Sequence, residues 1–422
     1  MALSMSSISI LPGVDRARWM LVIDWLAVGV AASLPWSTSA TSILIVLWLV
    51  ALVPTLDVES LRRELSIPAG FLPVALWLFA AIGMLWADVS WSERFGGLNG
   101  FHRLLLIPLV LLHFRRSAHG LWVVYGFFYA TLALLVVSWG LALIPGLPWR
   151  GIRNQIGVPV KDYVYQGMEF ALCAFVLLGY AYASCRARRW RWTAGFAVLA
   201  LLFLADIFFV AAGRTTLIAV PVLLLALGWR EFGWKGVAGA VALGGVLAVA
   251  VWFGSSYMRA KLTTSFHDWQ AYQVSDAPNS TGLHLEFLRK SLVFIKAAPI
   301  IGHGTGSIPE QFRNAAVGQS GAAAVASVNP HNQIFAVAIQ LGLIGAAVLV
   351  AMWIAHLLLF AGPGVIPWIG MAVVVQNIAS STFNSHLFDF TSGWLYVFGV
   401  GVVGGMVLRE RDSALGNSAA AI

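Results

Sequence analysis

The chain has 422 residues, of which 59% are hydrophobic and 10% are charged, and its mean hydropathy is +0.83. This composition is far more apolar than that of soluble globular proteins and excludes that class. The net charge of +8 would favour nucleic acid as a partner of a soluble protein, but here the arginines cluster in short segments between apolar runs, where basic residues set membrane topology. We therefore predict an all-α polytopic membrane protein that does not bind nucleic acid.

Apolar segments long enough to cross a bilayer recur along the chain and predict about twelve transmembrane helices. The chain is predicted to divide into transmembrane helices 1–9 (residues 1–254), a helical periplasmic loop region with catalytic elements between helices 9 and 10 (255–338), and helices 10–12 with a short cytoplasmic tail (339–422). The predicted segments lie near 19–36, 40–57, 68–87, 102–114, 119–144, 167–185, 192–211, 215–229, 236–254, 339–361, 364–382 and 391–408.

Basic residues of the short connecting segments fall on one side of this arrangement. The positive-inside rule makes that side cytoplasmic, so both termini are predicted to be cytoplasmic and the long loop periplasmic. The basic residues on this side are Arg16, Arg18, Arg62, Arg63, Arg115, Arg116, Arg186, Arg188, Arg189, Arg191, Arg230, Lys235, Arg409 and Arg411.

Two arginines at the opposite side are candidate functional residues. Arg214 stands between two apolar segments, where an unpaired guanidinium costs roughly 3 kcal/mol; the alternative is an interfacial arginine that reaches water. In the long loop, apolar residues at helical spacing predict an amphipathic helix over about 283–298, ended by Pro299. Arg289 lies off its apolar stripe, three residues after Glu286, and an ordinary ion pair between them is the simpler interpretation.

The segment Asn329-Pro330-His331-Asn332 precedes an apolar run. Asn329 is a favourable helix N-cap and Pro330 suits the first helical position. The pattern predicts His331 in the first helical turn, where the helix dipole disfavours imidazolium. A neutral imidazole that faces a phosphate is a suitable general base.

Two further features favour structural roles. The glycines of Gly302-His303-Gly304-Thr305-Gly306 predict a tight turn with positive φ, and the missing βαβ context argues against a nucleotide site. Asp24 and Asp206 fall inside apolar segments. They are expected to form hydrogen bonds within the bundle, although a proton relay is the alternative.

These blocks together resemble the O-antigen ligase and polymerase superfamily. The resemblance rests on Arg214, on the segments 285–289 and 299–306, and on Pro330-His331-Asn332 followed by Gln340-Leu-Gly-Leu-Ile-Gly345, and it covers about 190–350. The chain departs from the family pattern at Gly213, where serine is usual, and at His284, where arginine is usual.

The resemblance implies a metal-independent membrane glycosyltransferase of the GT-C type in the bacterial inner membrane, without a cofactor and with a periplasmic active site. The donor would be a glycan linked to undecaprenyl pyrophosphate. An O-antigen ligase would transfer it to lipid A-core, whereas a polymerase would extend the glycan on its lipid. A protein O-oligosaccharyltransferase would glycosylate Ser or Thr of proteins and typically carries a large C-terminal extension, whereas this sequence stops soon after Arg411. The ligase is therefore the first expectation and the polymerase the second.

The residues support the same chemistry. Arg214 and Arg289 are predicted to bind the donor phosphates, because guanidinium groups stabilise a leaving pyrophosphate without a metal. His331 is predicted to deprotonate the acceptor hydroxyl, with inversion because no carboxylate is placed to form a covalent intermediate. Asn332 and Asp389 are predicted to support the site.

Two other function classes remain open. A lipid-glycan transporter would explain intramembrane acids, but transporters place key charges near the midplane and often show repeated halves, and no repeat is evident. A structural envelope subunit would need no sensitive external arginine or histidine.

Overall fold

The computed structural model describes residues 15–144, 146, 155–211 and 213–420. Every regular element in these ranges is a helix, and short 3-10 helices occur at Val53–Thr55, Arg103–Leu105 and Gly321–Ala324. The α-helices are α1 (Arg16–Ser33), α2 (Thr38–Leu52), α3 (Val58–Leu65), α4 (Pro68–Gly83), α5 (Trp91–His102), α6 (Leu106–Arg116), α7 (Gly120–Leu143), α8 (Tyr163–Arg186), α9 (Trp190–Phe209), α10 (Arg214–Phe232), α11 (Trp234–Gly254), α12 (Ser256–Ser275), α13 (Ser280–Ala297), α14 (Ile308–Ala316), α15 (Gln333–Leu359), α16 (Val365–Ser380) and α17 (Phe390–Ala420).

Each predicted membrane segment coincides with a helix of the structure, which confirms the all-α polytopic fold. In the described ranges nine helical segments are long and apolar enough to cross a bilayer, and α3 with α4, bent by 89°, would make a tenth. α16 has only 16 residues, and α1 carries Arg16, Arg18 and Asp24. The number of twelve spans therefore stays a prediction.

The helix order gives the bundle two ends with different chemistry. We call the end where α8, α10, α15 and α17 begin the loop end, because α12, α13 and α14 connect α11 to α15 there. The predicted helix over 283–298 is confirmed as α13, which begins earlier because the Asn279 side chain caps it. The opposite end carries the basic residues of the short connections, and we call it the arginine-rich end.

The glycine segment near residue 300 packs against a kink in α15. Gly304 N–H donates to the Gln340 carbonyl, and Gly306 N–H donates to the Gln340 side chain. Gly342 interrupts the helix with a φ of +64°. The predicted turn is confirmed by positive φ at Gly302, Gly304 and Gly306. The N–H groups of Gly304 and Gly306 bond to α15 and are therefore not free to cradle a phosphate.

The two acids inside apolar helices have partners within the bundle. Asp206 accepts a hydrogen bond from Ser138 Oγ at 2.6 Å and lies 3.4 Å from Gln166 Nε2. Asp24 lies 2.7 Å from His113 Nε2. The prediction that these acids form hydrogen bonds within the bundle is confirmed.

Candidate active site

His331 precedes α15 and does not lie in its first turn. The helix begins at Gln333, and Asn332 is its N-cap, with Oδ1 accepting the Phe335 N–H at 3.1 Å. The prediction that Asn329 caps the helix is therefore wrong. Asn332 directly precedes the apolar run, and it offers the same capping oxygen three residues further along the chain.

Asn329 instead holds the His331 backbone in place. His331 has a φ of +55°, a conformation that non-glycine residues rarely adopt. Asn329 Oδ1 accepts the His331 N–H and the Ser385 hydroxyl, both at 2.8 Å, and Asn329 Nδ2 donates to Asn384 Oδ1 at 2.8 Å. These bonds fix the histidine against the connection between α16 and α17 (residues 381–389).

The His331 imidazole lies between aromatic rings and an amide. Its ring is nearly parallel to Phe287, with centroids 5.7 Å apart, and lies 5.6 Å from the His284 ring. Burial lowers the pKa of His331, and a hydrogen bond to Asn384 and the charge of Asp389 oppose that effect. The imidazole is consequently neutral near neutral pH, which is the form that accepts a proton.

Asp389 reaches His331 only through Asn384. Its Oδ2 accepts a hydrogen bond from Asn384 Nδ2 at 3.0 Å and lies 2.9 Å from His386 Nδ1. Its carbonyl accepts a hydrogen bond from the Arg103 guanidinium. A role of Asp389 in orienting His331 stays a prediction, and the structure gives it an indirect path.

Asn332 also joins α15 to the same connection. Its Nδ2 donates to the Thr382 carbonyl at 3.3 Å. The Gln333 N–H donates to the Ser381 carbonyl at 2.8 Å. Asn332 thus combines helix capping with anchoring of residues 381–389, and its predicted support of the site stays a prediction.

Arg214 is the first residue of α10 and lies at the loop end. Its Nη1 donates to Ser280 Oγ at 3.3 Å and to Thr281 Oγ1 at 3.4 Å, and Nη2 lies 3.8 Å from Asp268 Oδ2. The side chain is 42% exposed. Arg214 therefore contacts the beginning of α13 and keeps solvent-accessible surface for a ligand.

His284 lies between Arg214 and His331. Burial and the charges of His331 and Arg214 lower the pKa of His284 to about 4. Its ring stacks on Phe383 at a centroid distance of 5.9 Å, and its buried Nε2 has no hydrogen-bond partner among the described residues. The first half of α13 thus brings Arg214 and His331 to one site.

Arg289 lies elsewhere on α13. Its Nε and Nη2 donate to the two Glu286 oxygens at 2.8 and 2.6 Å, and Tyr272 donates to the same carboxylate. Five residues separate Arg289 from His284, which places the two side chains about 140° apart around the helix. No hydrogen bond or ion pair joins Arg289 to Arg214 or His331 in the described part of the chain, and the ion-pair interpretation of Arg289 is the one the structure shows.

Sequence reasoning did not identify three groups of this site. His284 and Phe287 have the i, i+3 spacing of one helical face, a signal that could have placed both against the same partner. Asn384 carries no local signal, because its contact with Asn329 spans 55 residues.

Two acids close to the candidate arginines lie next to cations. Asp268 lies near Arg214, and Glu286 binds Arg289. Across the described ranges, no group of three or more His, Cys, Asp or Glu residues is placed to hold a metal ion.

Part of the chain is similar to a known protein family. Residues 199–350 match the family model for O-antigen ligase. The matched segment begins in α9, ends in α15 and contains Arg214, Arg289 and His331. No curated protein matches the chain. The match to the family model, over about a third of the chain, supports membership of the O-antigen ligase family.

Proposed function

We propose that the protein is an inverting glycosyltransferase that moves an O-antigen glycan from undecaprenyl pyrophosphate to a sugar hydroxyl of lipid A-core. Family membership supports an enzyme that acts on lipid-linked glycans in a membrane. The observation that carries the proposal is the placement of Arg214 and a neutral His331 against the same half of α13. Arg214 can stabilise an anionic leaving group, and His331 can accept the proton of a hydroxyl nucleophile.

The proposed reaction is a single displacement. The acceptor oxygen bonds to the anomeric carbon while the bond from that carbon to the phosphate oxygen breaks. His331 takes the hydroxyl proton, and undecaprenyl pyrophosphate leaves with the electron pair. Attack opposite to the leaving group inverts the anomeric configuration, and Arg214 stabilises the charge that develops on the phosphate.

Arg289 is proposed as the second phosphate contact, with a condition that the structure adds. Two of its guanidinium nitrogens are bound to Glu286, while the side chain is 63% exposed. The guanidinium must turn from Glu286 to reach the phosphate bound by Arg214. Arg289 would therefore contribute less than Arg214 does.

The membrane orientation supports a periplasmic site. The loop end, which holds Arg214 and His331, lies opposite the arginine-rich end, and the positive-inside rule assigns the latter to the cytoplasm. We therefore propose a GT-C type enzyme of the bacterial inner membrane, with both termini in the cytoplasm.

An O-antigen polymerase would use the same donor chemistry and is the second candidate, because the family comparison does not separate the two acceptors. A transporter has less support, since the hydrogen bonds of Asp24 and Asp206 give both acids partners within the bundle.

Complementation of an O-antigen-ligase null strain tests the proposal. We expect polymer attached to lipid A-core with the wild-type chain, and none with His331→Ala at equal membrane abundance. Polymer that lengthens only on its lipid carrier, in a strain that lacks the polymerase, would assign the polymerase function instead.

A further inference from the structure

A groove runs between α10 and α11 at the arginine-rich end, and Tyr182 of α8 forms part of its wall. Its volume is about 750 Å³, including the part that is open to the surroundings. The walls are apolar along most of their length, and the charged lining residues, Glu231 and Lys235, lie beside the connection between the two helices. The groove follows α11 from Lys235 to Leu243, about 12 Å at 1.5 Å per residue. This length is close to the hydrocarbon depth of one leaflet, which is half of about 30 Å.

Glycines explain why the groove is open. A Cβ on Gly236 would overlap the Gly228 carbonyl, so the backbones of α10 and α11 touch at that point. Three residues further along α11, a Cβ on Gly239 would meet no described atom within 4 Å. Gly239 lines the groove. The space beside it is therefore empty of protein and can accept an apolar chain.

Exposed tryptophans place the mouth of the groove at the membrane surface. Trp229 and Trp234 stand on either side of the connection between α10 and α11, and both are exposed. Their ring centroids are 4.7 Å apart. Tryptophan is enriched where the hydrocarbon region meets the lipid headgroups. The mouth, which contains Lys235, is thus at headgroup depth, and the part near Leu243 lies in hydrocarbon.

The charges at the mouth favour an anion. Arg186 Nη1 donates to the Tyr182 hydroxyl at 3.3 Å, and Lys235 makes no hydrogen bond or ion pair with the described residues. The Glu231 carboxylate lies 3.7 Å from Arg230 Nη1, and its charge also acts on Arg186. Three cations therefore surround one carboxylate, and the mouth keeps a positive charge.

Membrane topology alone does not account for this arrangement. Other arginines of the same end have carboxylate partners: Arg115 binds Glu64, and Arg116 binds Asp57. These ion pairs fasten α3 to α6. The positive-inside rule explains why cations lie at this end of the bundle. It does not explain an apolar groove whose mouth is lined by cations without such a partner.

We infer that the groove binds an anionic phospholipid, with one acyl chain between α10 and α11 and the phosphate between Arg186 and Lys235. Basic pockets between transmembrane helices bind anionic headgroups, and charge-assisted hydrogen bonds to a guanidinium and an ammonium suit a phosphate. The groove lies at the opposite end of the bundle from Arg214 and His331. The inference is therefore separate from the candidate active site and does not depend on the proposed function.

Native mass spectrometry of the full-length protein in a neutral detergent, titrated with phosphatidylglycerol, tests the headgroup contacts. We expect Arg186→Gln and Lys235→Gln each to weaken binding about tenfold, because each removes a hydrogen bond to a charged group. Phosphatidylcholine should bind the wild type more weakly, because its choline cation offsets the phosphate charge. Arg62→Gln is the matched control, because Arg62 is exposed on α3 at the same end, and it should bind as the wild type does.

Glycine substitutions test the chain contact separately from charge. Gly239→Leu places an apolar side chain in the open part of the groove. Gly245→Leu is the matched control, because a Cβ there also meets no described atom within 4 Å and Gly245 lies outside the lining residues. Both variants gain the higher helix propensity of leucine and should unfold at or above the wild-type temperature. Only Gly239→Leu should lose phosphatidylglycerol binding, and unfolding cannot produce that combination.

Wild-type affinity in Gly239→Leu, or in both charge variants, would overturn the site. Equal affinity for phosphatidylcholine and phosphatidylglycerol would overturn the anionic headgroup. Undecaprenyl phosphate that displaces phosphatidylglycerol at a lower concentration would assign the groove to an isoprenoid chain. A wild-type dimer that Gly239→Leu separates would assign it to a second copy of the chain. Either of the last two results would overturn the phospholipid assignment.

Discussion

Two clusters of histidine and acid lie at opposite ends of the protein, and they differ in how the acid meets the imidazole. At the arginine-rich end, Asp24 lies 2.7 Å from His113 Nε2 and 2.8 Å from His119 Nδ1. At the loop end, Asn384 stands between Asp389 and His331, and no direct hydrogen bond joins the acid to the imidazole in the described part of the chain.

The difference indicates separate roles for the two clusters. Both Asp24 oxygens contact imidazoles directly, and Asp24 and His113 are each 1% exposed, so neither meets a ligand from solvent. At the loop end the amide separates acid and base, and His331 stays partly exposed. Substitutions in the Asp24 cluster should therefore change stability, and substitutions in the His331 cluster should change catalysis. The following predictions test this difference.

The largest expected effect is that of His331→Ala on transfer. General base catalysis contributes about 10² to 10⁴ in rate, so transfer by the purified enzyme should fall by that factor. Binding of farnesyl pyrophosphate should stay within twofold, because the base acts on the acceptor. Transfer near the wild-type rate would remove His331 from the mechanism.

Asp24→Ala should act on stability instead. The substitution leaves two imidazoles without their acceptor, and leaving a buried donor without a partner costs about 1–3 kcal/mol. The unfolding temperature in detergent should fall, while the transfer rate per folded molecule stays near that of the wild type. Lost transfer at unchanged stability would instead indicate a proton path through Asp24.

Lysine substitutions separate the two arginines of the loop end. An ammonium cannot reproduce the paired contacts of a guanidinium with phosphate, so Arg214→Lys should slow transfer about tenfold or more. Arg289→Lys should slow it less, because Glu286 already holds that guanidinium. Glu286→Gln is the control, because it removes the carboxylate charge that holds the Arg289 guanidinium. Wild-type rates in both lysine variants would show that neither arginine binds phosphate.

The sequence predicted which helices and turns form the site more reliably than it predicted where their side chains point. Periodicity and Pro299 located α13, and glycine spacing located the turn at 302–306, because both signals are local. The start of α15 was misplaced since Asn329 and Asn332 carry the same capping signal. Only the fold shows that Asn329 bonds to Ser385 and to the backbone of His331.

The placement of side chains around α13 could also be known only from the folded structure. The sequence placed Arg289 off the apolar stripe and named Glu286 as its partner, but the position of Arg289 relative to Arg214 and His331 depends on which helices pack beside α13. α12 brings Tyr272 to Glu286, and this contact fixes the carboxylate that binds Arg289. The membrane segment predicted near 102–114 likewise begins too late, because the helical segment starts at Trp91, where a capping box, Ser90 with Glu93, precedes a polar first turn.

The pH dependence of transfer tests the loop-end cluster more finely. Burial lowers the pKa of His331, so the neutral base persists below the ordinary histidine value of about 6.5. The acid limb of the rate should therefore lie at lower pH than an ordinary histidine would give. The charge of Asp389 raises the His331 pKa, so Asp389→Asn should move the acid limb of kcat/KM to still lower pH. An unmoved limb would mean that Asp389 does not act on the base.

The smallest effect is expected from a chelator, which should leave the rate of transfer unchanged. The sequence holds no Asp-x-Asp pair, and three acids of the loop end lie beside cations: Asp268 near Arg214, Glu286 on Arg289 and Glu310 on Arg313. A divalent ion that bridges diphosphate needs carboxylates free to coordinate it, whereas arginine and a helix N-terminus neutralise phosphate without one. Transfer by the purified protein should survive EDTA, with a magnesium-dependent enzyme treated in parallel to show that chelation was complete. Activity lost to EDTA and restored by Mg²⁺ or Mn²⁺ would assign part of the phosphate charge to a metal and direct attention to Asp268 and Asp389.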